Sequence, residues 1–374
     1  MNLLKKKINK ITWYVPLELN HSSYIYTSVL EYCKRNAVPF EISLKNKNSR
    51  SKIIVDKDGV IQSNDYFPKV CWIKVTYTDR RSKHIAFDLD DNPNVFARQA
   101  LEKCDVYFKR CYQESICNTL EKHFNIVPKP MGLPFMVRPE LGRFFKLGAI
   151  FYYFKYLEIF KFDRLLLKRI NLFQQKANKH FIRFLKSRTV KDFWEYRQVD
   201  TTKIFYQKRL FDEVNKSVVA LNKNRVEIIR MLKKHFKVNF IGGLQDNTIA
   251  RTKYPDLISK QYENPHSFLE AMSDCGICIY TNGLYGSPGW TLPEFLSQGK
   301  CIIAERLANK LPEPLIDGKH VLFYSNNEDI IQLCNTLINN PKKRKELSDN
   351  ARLYYEQNID PQFFLENLFT NSIE

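Results

Sequence analysis

The sequence predicts an α/β chain of two doubly wound halves, and three observations lead to that expectation. Its 374 residues exceed one ordinary domain, and a hydrophobic content of 44% supports a core in each half. Short apolar strands alternate with helical stretches up to about residue 130, and again from about residue 200 onward, which is the pattern of sheets covered by helices. Between these two series, over residues 141–190, the composition turns basic and aromatic. The expected domains are residues 1–195, including that stretch, and residues 196–374.

In the first half, residues 11–16 read as a short strand, followed by a polar loop over 18–23 and a helix over 24–36. Residues 40–44 alternate with period two. Two apolar runs, 53–55 and 60–61, flank Asp56-Lys57-Asp58-Gly59, a hairpin signature. Strands are expected at 70–75, 84–87 and 105–109, with a helix over 94–103. Alternation of this kind argues for a parallel, Rossmann-like sheet. In the second half, a strand at 203–207 leads to an amphipathic helix over 225–235. A strand at 238–241 then ends at Gly242-Gly243. Strands at 275–280, 300–304 and 321–324 follow, and two helices over 328–339 and 341–357 close the series.

The formal charge of +19 favours a polyanionic partner: nucleic acid, anionic lipid or a phosphorylated substrate. Between Arg143 and Arg188 there are twelve Lys and Arg against two acids, with twelve Phe and Tyr among them. A helical insertion with a solvated basic face fits this composition, and so does a peripheral anchor on an anionic membrane surface. Interleaved basic and aromatic groups also suit single-stranded nucleic acid, but no recognised motif accompanies them and no nucleic acid is expected. No stretch reaches the roughly 18 apolar residues that span a bilayer. The first seven residues lack the apolar core of a signal peptide, so the expected location is cytoplasmic, with peripheral contact to the inner membrane face. Nine scattered cysteines suit reduced thiols, and Cys275–Cys278, lacking a second ligand pair, reads as buried strand.

The chemistry concentrates in residues 280–300. A strand gives way at Thr281 to a loop in which Gly283, Gly286, Pro288 and Gly289 fall within seven residues, and a short helix follows. Glycines there allow unusual backbone angles and close approach of a ligand, and N–H groups at a helix start favour a phosphate. Glu294, one turn inside, is placed to reach a sugar hydroxyl beside that phosphate. Position between two strands of an open sheet supports a binding role, because ligands sit beyond the carboxyl ends of such strands.

The stretch Gly286-Ser287-Pro288-Gly289-Trp290-Thr291-Leu292-Pro293-Glu294-Phe295-Leu296-Ser297-Gln298-Gly299-Lys300-Cys301-Ile302-Ile303 resembles the donor-binding segment of GT-B glycosyltransferases. It is most similar to bacterial enzymes that build surface polysaccharides (capsule, lipopolysaccharide, O-antigen). Asn239-Phe240-Ile241-Gly242-Gly243 and residues 203–210 resemble the same half, and the likeness extends over about residues 200–370. It implies two Rossmann-like domains facing a cleft, with the last helix crossing back to the first. It further implies that Glu294 binds the donor ribose and that Lys208 with Arg209 neutralises the diphosphate. Gly242, Gly243, Thr281, Gly286 and Ser287 fall in the implied donor site, with the backbone of Gly289, Trp290 and Thr291 around the phosphates. Many retaining members carry a glutamate eight positions before the second one, where this chain has Gly286.

Transfer needs a base for the acceptor hydroxyl. His21, in the loop after the first strand, is one candidate, and Asp88 and Asp91 are comparable ones. Asp88-Leu89-Asp90 also matches the metal-binding Asp-x-Asp of the GT-A fold, although no metal is expected here. The expected partners are a nucleotide-diphosphate sugar as co-substrate, with no other cofactor, and a saccharide or lipid-linked acceptor. Two readings stay open beside the transferase: a nucleotide-sugar epimerase on the same fold, and a non-enzymatic basic membrane- or nucleic-acid-binding module.

Overall fold

The computed structural model describes residues 8–43, 45, 47, 49–140, 167, 178–196, 198–259 and 264–372. The basic, aromatic stretch 141–190 therefore lies mostly outside the described residues. The chain divides into two compact units. One comprises Met1–Asp192, Asn309–Pro312 and Asn358–Glu374, and the other Phe193–Ala308 and Glu313–Gln357.

In the first unit, β1 (Ile8–Tyr14) is followed by α1 (Ser23–Arg35) and by β2 (Phe40–Ser43), which pairs parallel to β1. β3 (Lys52–Asp56) and β4 (Gly59–Ser63) form the expected hairpin, with Gly59 at φ +126°. β5 (Val70–Tyr77) and β6 (Ser82–Asp88) follow. Next come β7 (Val95–Ala97), α2 (Arg98–Lys103), β8 (Val106–Lys109), α3 (Glu114–Glu121) and β9 (Lys129–Pro130). The main sheet runs β2-β1-β5-β6-β8-β9, while β4-β3-β7 form a separate small sheet.

That main sheet is mixed, not parallel as the alternation suggested. β5 runs antiparallel to both β1 and β6. The cause is local: only Thr78–Arg81 separate β5 from β6, and the Tyr77 N–H closes the turn on the Arg81 carbonyl at 2.9 Å. A connection that short makes a hairpin, whereas a parallel crossover needs a dozen residues or more. The helix expected over 94–103 is likewise shortened, because Val95–Ala97 pair with β3 before α2 begins.

After α4 (Asn178–Leu185) the chain enters the second unit. Its elements are β10 (Ile204–Lys208), α5 (Lys216–Phe236), β11 (Phe240–Leu244), α6 (Pro265–Ser273) and β12 (Ile277–Tyr280). They continue with α7 (Thr291–Ser297), β13 (Cys301–Glu305), β14 (Leu322–Tyr324), α8 (Asn327–Asn339) and α9 (Pro341–Asn358). The sheet runs β11-β10-β12-β13-β14, and every pairing in it is parallel. Such a sheet is covered on both faces, so its strands read as unbroken apolar runs. Ile277-Cys278-Ile279-Tyr280 is buried throughout. Val226, Ile229 and Leu232 of α5 and Leu337 of α8 pack into the same core. Helix starts are fixed by sequence: Asn264 and Asn326 each form a capping box, and Asn215 accepts from the Val218 N–H.

Finally, α10 (Pro361–Ser372) belongs to the first unit, where Phe364 packs edge-on against Tyr24 of α1 at 4.9 Å. All nine cysteines are free thiols, and Cys275 and Cys278 are buried. Among the described residues, no helix is long and apolar enough to cross a membrane.

Candidate functional site

The strand order of the second unit locates a site before any side chain is considered. From β10 the chain passes through α5 to β11 on one side, and it then returns to place β12 on the other side of β10. Connections therefore leave in opposite directions between β10 and β12, and a crevice at their carboxyl ends is where doubly wound sheets take ligands.

The residues at that edge are polar and aromatic, and all but Glu305 are buried. Lys208 ends β10, Tyr280 ends β12, Glu305 ends β13 and Tyr324 ends β14. The Lys208 ammonium donates to the Thr281 carbonyl at 3.3 Å and lies 5.3 Å from the centre of the Tyr280 ring. Burial pulls its pKa down to about 7, aided by the nearby Arg225 and opposed by Glu305 and Glu294. Arg225 reaches in from α5. Its Nη1 donates to the Arg209 carbonyl at 2.6 Å and its Nη2 to the Asn282 carbonyl at 3.1 Å, tying together the two strand ends. The Nε of Arg225 and the hydroxyl of Tyr324 are buried without hydrogen-bond partners.

The glycine-rich loop is held by its own backbone and by the same strand ends. Asn282 donates from its main chain to Glu305 at 2.8 Å and from its amide to the Arg306 carbonyl at 2.9 Å. The Tyr280 hydroxyl accepts from the Gly289 N–H at 2.8 Å, and the Tyr206 hydroxyl lies 3.1 Å from that of Thr281. The Ser287 N–H closes on Leu284 at 3.0 Å, with Tyr285 at φ +57° and Gly286 at φ +69°. Trp290 precedes α7, and Thr291 opens it with a buried hydroxyl that has no hydrogen-bond partner. Glu294 is buried in the first turn.

Of the residues expected in the donor site, Lys208 and Thr281 therefore touch. Glu294 is near enough to bear on Lys208, and Arg209 is exposed with its guanidinium 4.9 Å from the Phe211 ring. Gly242 and Gly243 sit on β11 beside β10, where their missing side chains serve packing. A Cβ on Gly242 would lie 2.1 Å from the Tyr206 carbonyl oxygen, and one on Gly243 would lie 2.5 Å from that of Leu257. Arg225, Asn282, Glu305 and Tyr324 escaped the sequence reading. One signal for Arg225 was present: Val218, Asn222, Arg225, Ile229 and Leu232 follow one another at helical spacing, so a cation interrupts the buried stripe.

A cavity of about 430 Å³ opens at the opposite edge of this sheet, lined by Gly276, Gly299, Asp200 and Arg344 among others. Its central charges already satisfy each other, since Arg344 and Asp200 lie 2.6 Å apart. It is also at the amino ends of the strands, and the carboxyl edge remains the better candidate.

In the first unit, the carboxyl ends of β1 and β6 carry a second polar group. His21 Nδ1 lies 2.5 Å from a Glu18 oxygen. Burial works to raise Glu18, but the His21 hydrogen bond and the charges of His21, His180 and Lys69 outweigh it and hold the carboxyl below its usual range. Burial lowers the His180 imidazole to about 4, so it is neutral at neutral pH. Asp91 accepts from Arg110 at 2.6 Å and from Lys69 at 3.4 Å, and Lys69 in turn bears on Glu18. His21 and Asp91 thus belong to one charged network. Asp88 does not join it. Fully buried, it accepts from Lys109 at 3.1 Å and from Tyr107 at 2.5 Å, and burial raises it to about 6. Such an enclosed carboxylate braces β6 against β8 and offers nothing to a solute, so the catalytic role expected of it is not supported by its position. The Asp88-x-Asp90 pair diverges too, with Asp90 directed toward Lys69 at 3.6 Å.

No protein-family model and no curated protein matches this chain. Among solved structures, TarM is similar at 17% identity over 47% of this chain and 36% of its own, with a TM-score of 0.32. The chain thus spans about a third of TarM's length. Anabaena HepE in complex with UDP is similar at 12% identity over 70% of this chain and 89% of its own, with a TM-score of 0.34. HepE in complex with UDP and glucose gives the same identity and coverage at a TM-score of 0.35. At these scores the likenesses assign no family to the chain.

Proposed function

We propose that this chain is a GT-B-type glycosyltransferase. In this reading it moves a sugar from a nucleoside-diphosphate sugar to a saccharide or lipid-linked acceptor in surface-polysaccharide synthesis. The observation that carries the reading is the pair of buried cations, Lys208 and Arg225, at the switch point of the second unit's sheet, with Glu294 and Glu305 beside them. The sequence resemblance over residues 286–303 supports the same placement.

The acceptor oxygen forms the new bond to the anomeric carbon, the bond from that carbon to the diphosphate oxygen breaks, and its electron pair leaves with the nucleotide. Cations set in a low-dielectric site stabilise that developing charge more strongly than they would in water. Lys208 and Arg209 face the diphosphate in this reading, Glu294 accepts from a ribose hydroxyl, and the backbone of Ser287, Gly289, Trp290 and Thr291 borders the phosphates. His21, held by Glu18 at 2.5 Å, takes the acceptor proton in this reading. The basic stretch 141–190 meets an anionic membrane surface.

A melting-temperature screen against UDP, GDP, CDP and dTDP tests the donor site, with Lys208→Met and Glu294→Gln as controls. One nucleotide should stabilise the wild type by mass action and stabilise neither variant. Product analysis with a donor panel then separates the classes. A transferase requires an acceptor, whereas an epimerase converts the donor alone. Salt-sensitive liposome binding without any nucleotide binding would favour the non-enzymatic module.

A further inference from the structure

The loop after β1 and the start of α4 bring together three groups that chelate. One Glu18 oxygen and one nitrogen each from His21 and His180 lie within 4.8 Å of one another, and all three residues are half-buried, within reach of an ion from solvent. His180 comes to this loop from 160 residues away in sequence. Its Nδ1 lies 2.5 Å from the Asn20 side chain. The other nitrogen, Nε2, faces Glu18, whose Oε1 is 3.7 Å away. Asn20 is itself buried, and its side chain is the group that orients the His180 ring. Fixing a ligand histidine through its second nitrogen is how outer-shell groups prepare a metal site.

We propose that Glu18, His21 and His180 bind one zinc-class divalent cation, with a fourth position left to water. Imidazole nitrogens with a single carboxylate favour zinc, cobalt or nickel over magnesium or calcium. Ligand atoms about 2.0–2.1 Å from a tetrahedral ion stand roughly 3.3 Å apart. His21 lies 2.5 Å from Oε2 of Glu18 and His180 lies 3.7 Å from Oε1, with one ligand atom from each residue within 4.8 Å of the others, so side-chain rotations bring the three donors onto one ion. The ion takes the place of the proton that His21 shares with Glu18, and that proton is released to solvent. Of the cations nearby, Lys69 is engaged by Asp90 and Asp91 at 3.6 and 3.4 Å. Lys179 and Arg183 lie on the helix that carries His180. Binding requires neither donor nor turnover, so it is read apart from the transferase reading, although with the ion bound His21 is a ligand and not the acceptor's base.

Chelator-treated full-length protein is titrated with Co²⁺, read by its visible absorption, and with Zn²⁺, read by calorimetry. One equivalent should bind per chain, with the absorption of a low-coordinate cobalt site. His180→Ala and Glu18→Gln should weaken binding at least about tenfold, and Asn20→Ala by about 10- to 100-fold, the usual effect of losing an outer-shell partner. His180→Gln, checked for a metal-free melting temperature equal to wild type, keeps the test valid if the alanine variant fails to fold. Absent binding would overturn the proposal. So would binding unchanged in both His180→Gln and Glu18→Gln, since the ion would then sit elsewhere.

Discussion

The ammonium of Lys208 lies 3.3 Å from the carbonyl oxygen of Thr281, so a buried cation joins the ends of the two strands between which the second unit's sheet changes direction. Burying a lysine is unfavourable unless something compensates, and its lowered pKa registers that cost.

This relationship has a pH signature. Lys208 titrates at about 7 in the folded chain and near its ordinary 10.5 when unfolded, so between those values the unfolded state binds the extra proton. Folding stability in that window should rise with pH, by up to about 1.4 kcal/mol per unit from this group alone, relative to Lys208→Met. The variant's stability advantage should be largest below pH 7 and shrink toward pH 10. Urea unfolding of both proteins at pH 6, 8 and 10 reads this directly, and a difference that does not change with pH would show that Lys208 is not the titrating group.

Arg225 holds the main-chain carbonyls of Arg209 and Asn282, just beyond the ends of two strands, with one planar fork. Arg225→Ala should cost about 2–4 kcal/mol by leaving buried acceptors unpaired. Arg225→Lys should recover little, since an ammonium cannot span both carbonyls in the same geometry. Thermal melts of the two variants should fall close together; full recovery in the lysine variant would reduce Arg225 to a point charge.

Asp88 should behave as a brace. Asp88→Ala leaves Lys109 buried without its carboxylate and should cost about 3–5 kcal/mol. Nucleotide binding per folded molecule should be unchanged, which calorimetry at a temperature well below the melt can check.

The glycines separate into two kinds. Gly242→Ala meets the Tyr206 carbonyl at 2.1 Å from a backbone at φ +131°, and should lower stability by at least about 3 kcal/mol. A Cβ on Gly289 meets nothing closer than 3.5 Å, so Gly289→Ala should fold to within about 1 kcal/mol of wild type. Any loss of nucleotide binding in Gly289→Ala would then report on the loop's role in binding and not on folding.

Much of the second unit was legible in the sequence because its signals are local. The apolar runs that became β12 and β13 and the glycine-rich loop between Tyr280 and Trp290 each depend on neighbours a few residues away. The same local signals placed Lys208 at a strand end and Glu294 in the first turn of a helix. Strand direction in the first unit was not legible in this way, since alternation of strands and helices does not reveal which strand a four-residue turn inserts between two others. Burial was also hidden: Asp88 and Asp91 look alike in sequence, yet one is enclosed with Lys109 and the other faces Lys69 and Arg110. Most of all, the sequence names Glu18, His21 and His180 without relating them, and it names Arg225 without showing that it reaches Asn282. Periodicity and turn chemistry act within a few residues along the chain, so the sequence alone determined the elements and the loop. Only the packing of distant segments decided which charges meet, because that depends on strand order and sheet twist, which no short stretch of chain encodes.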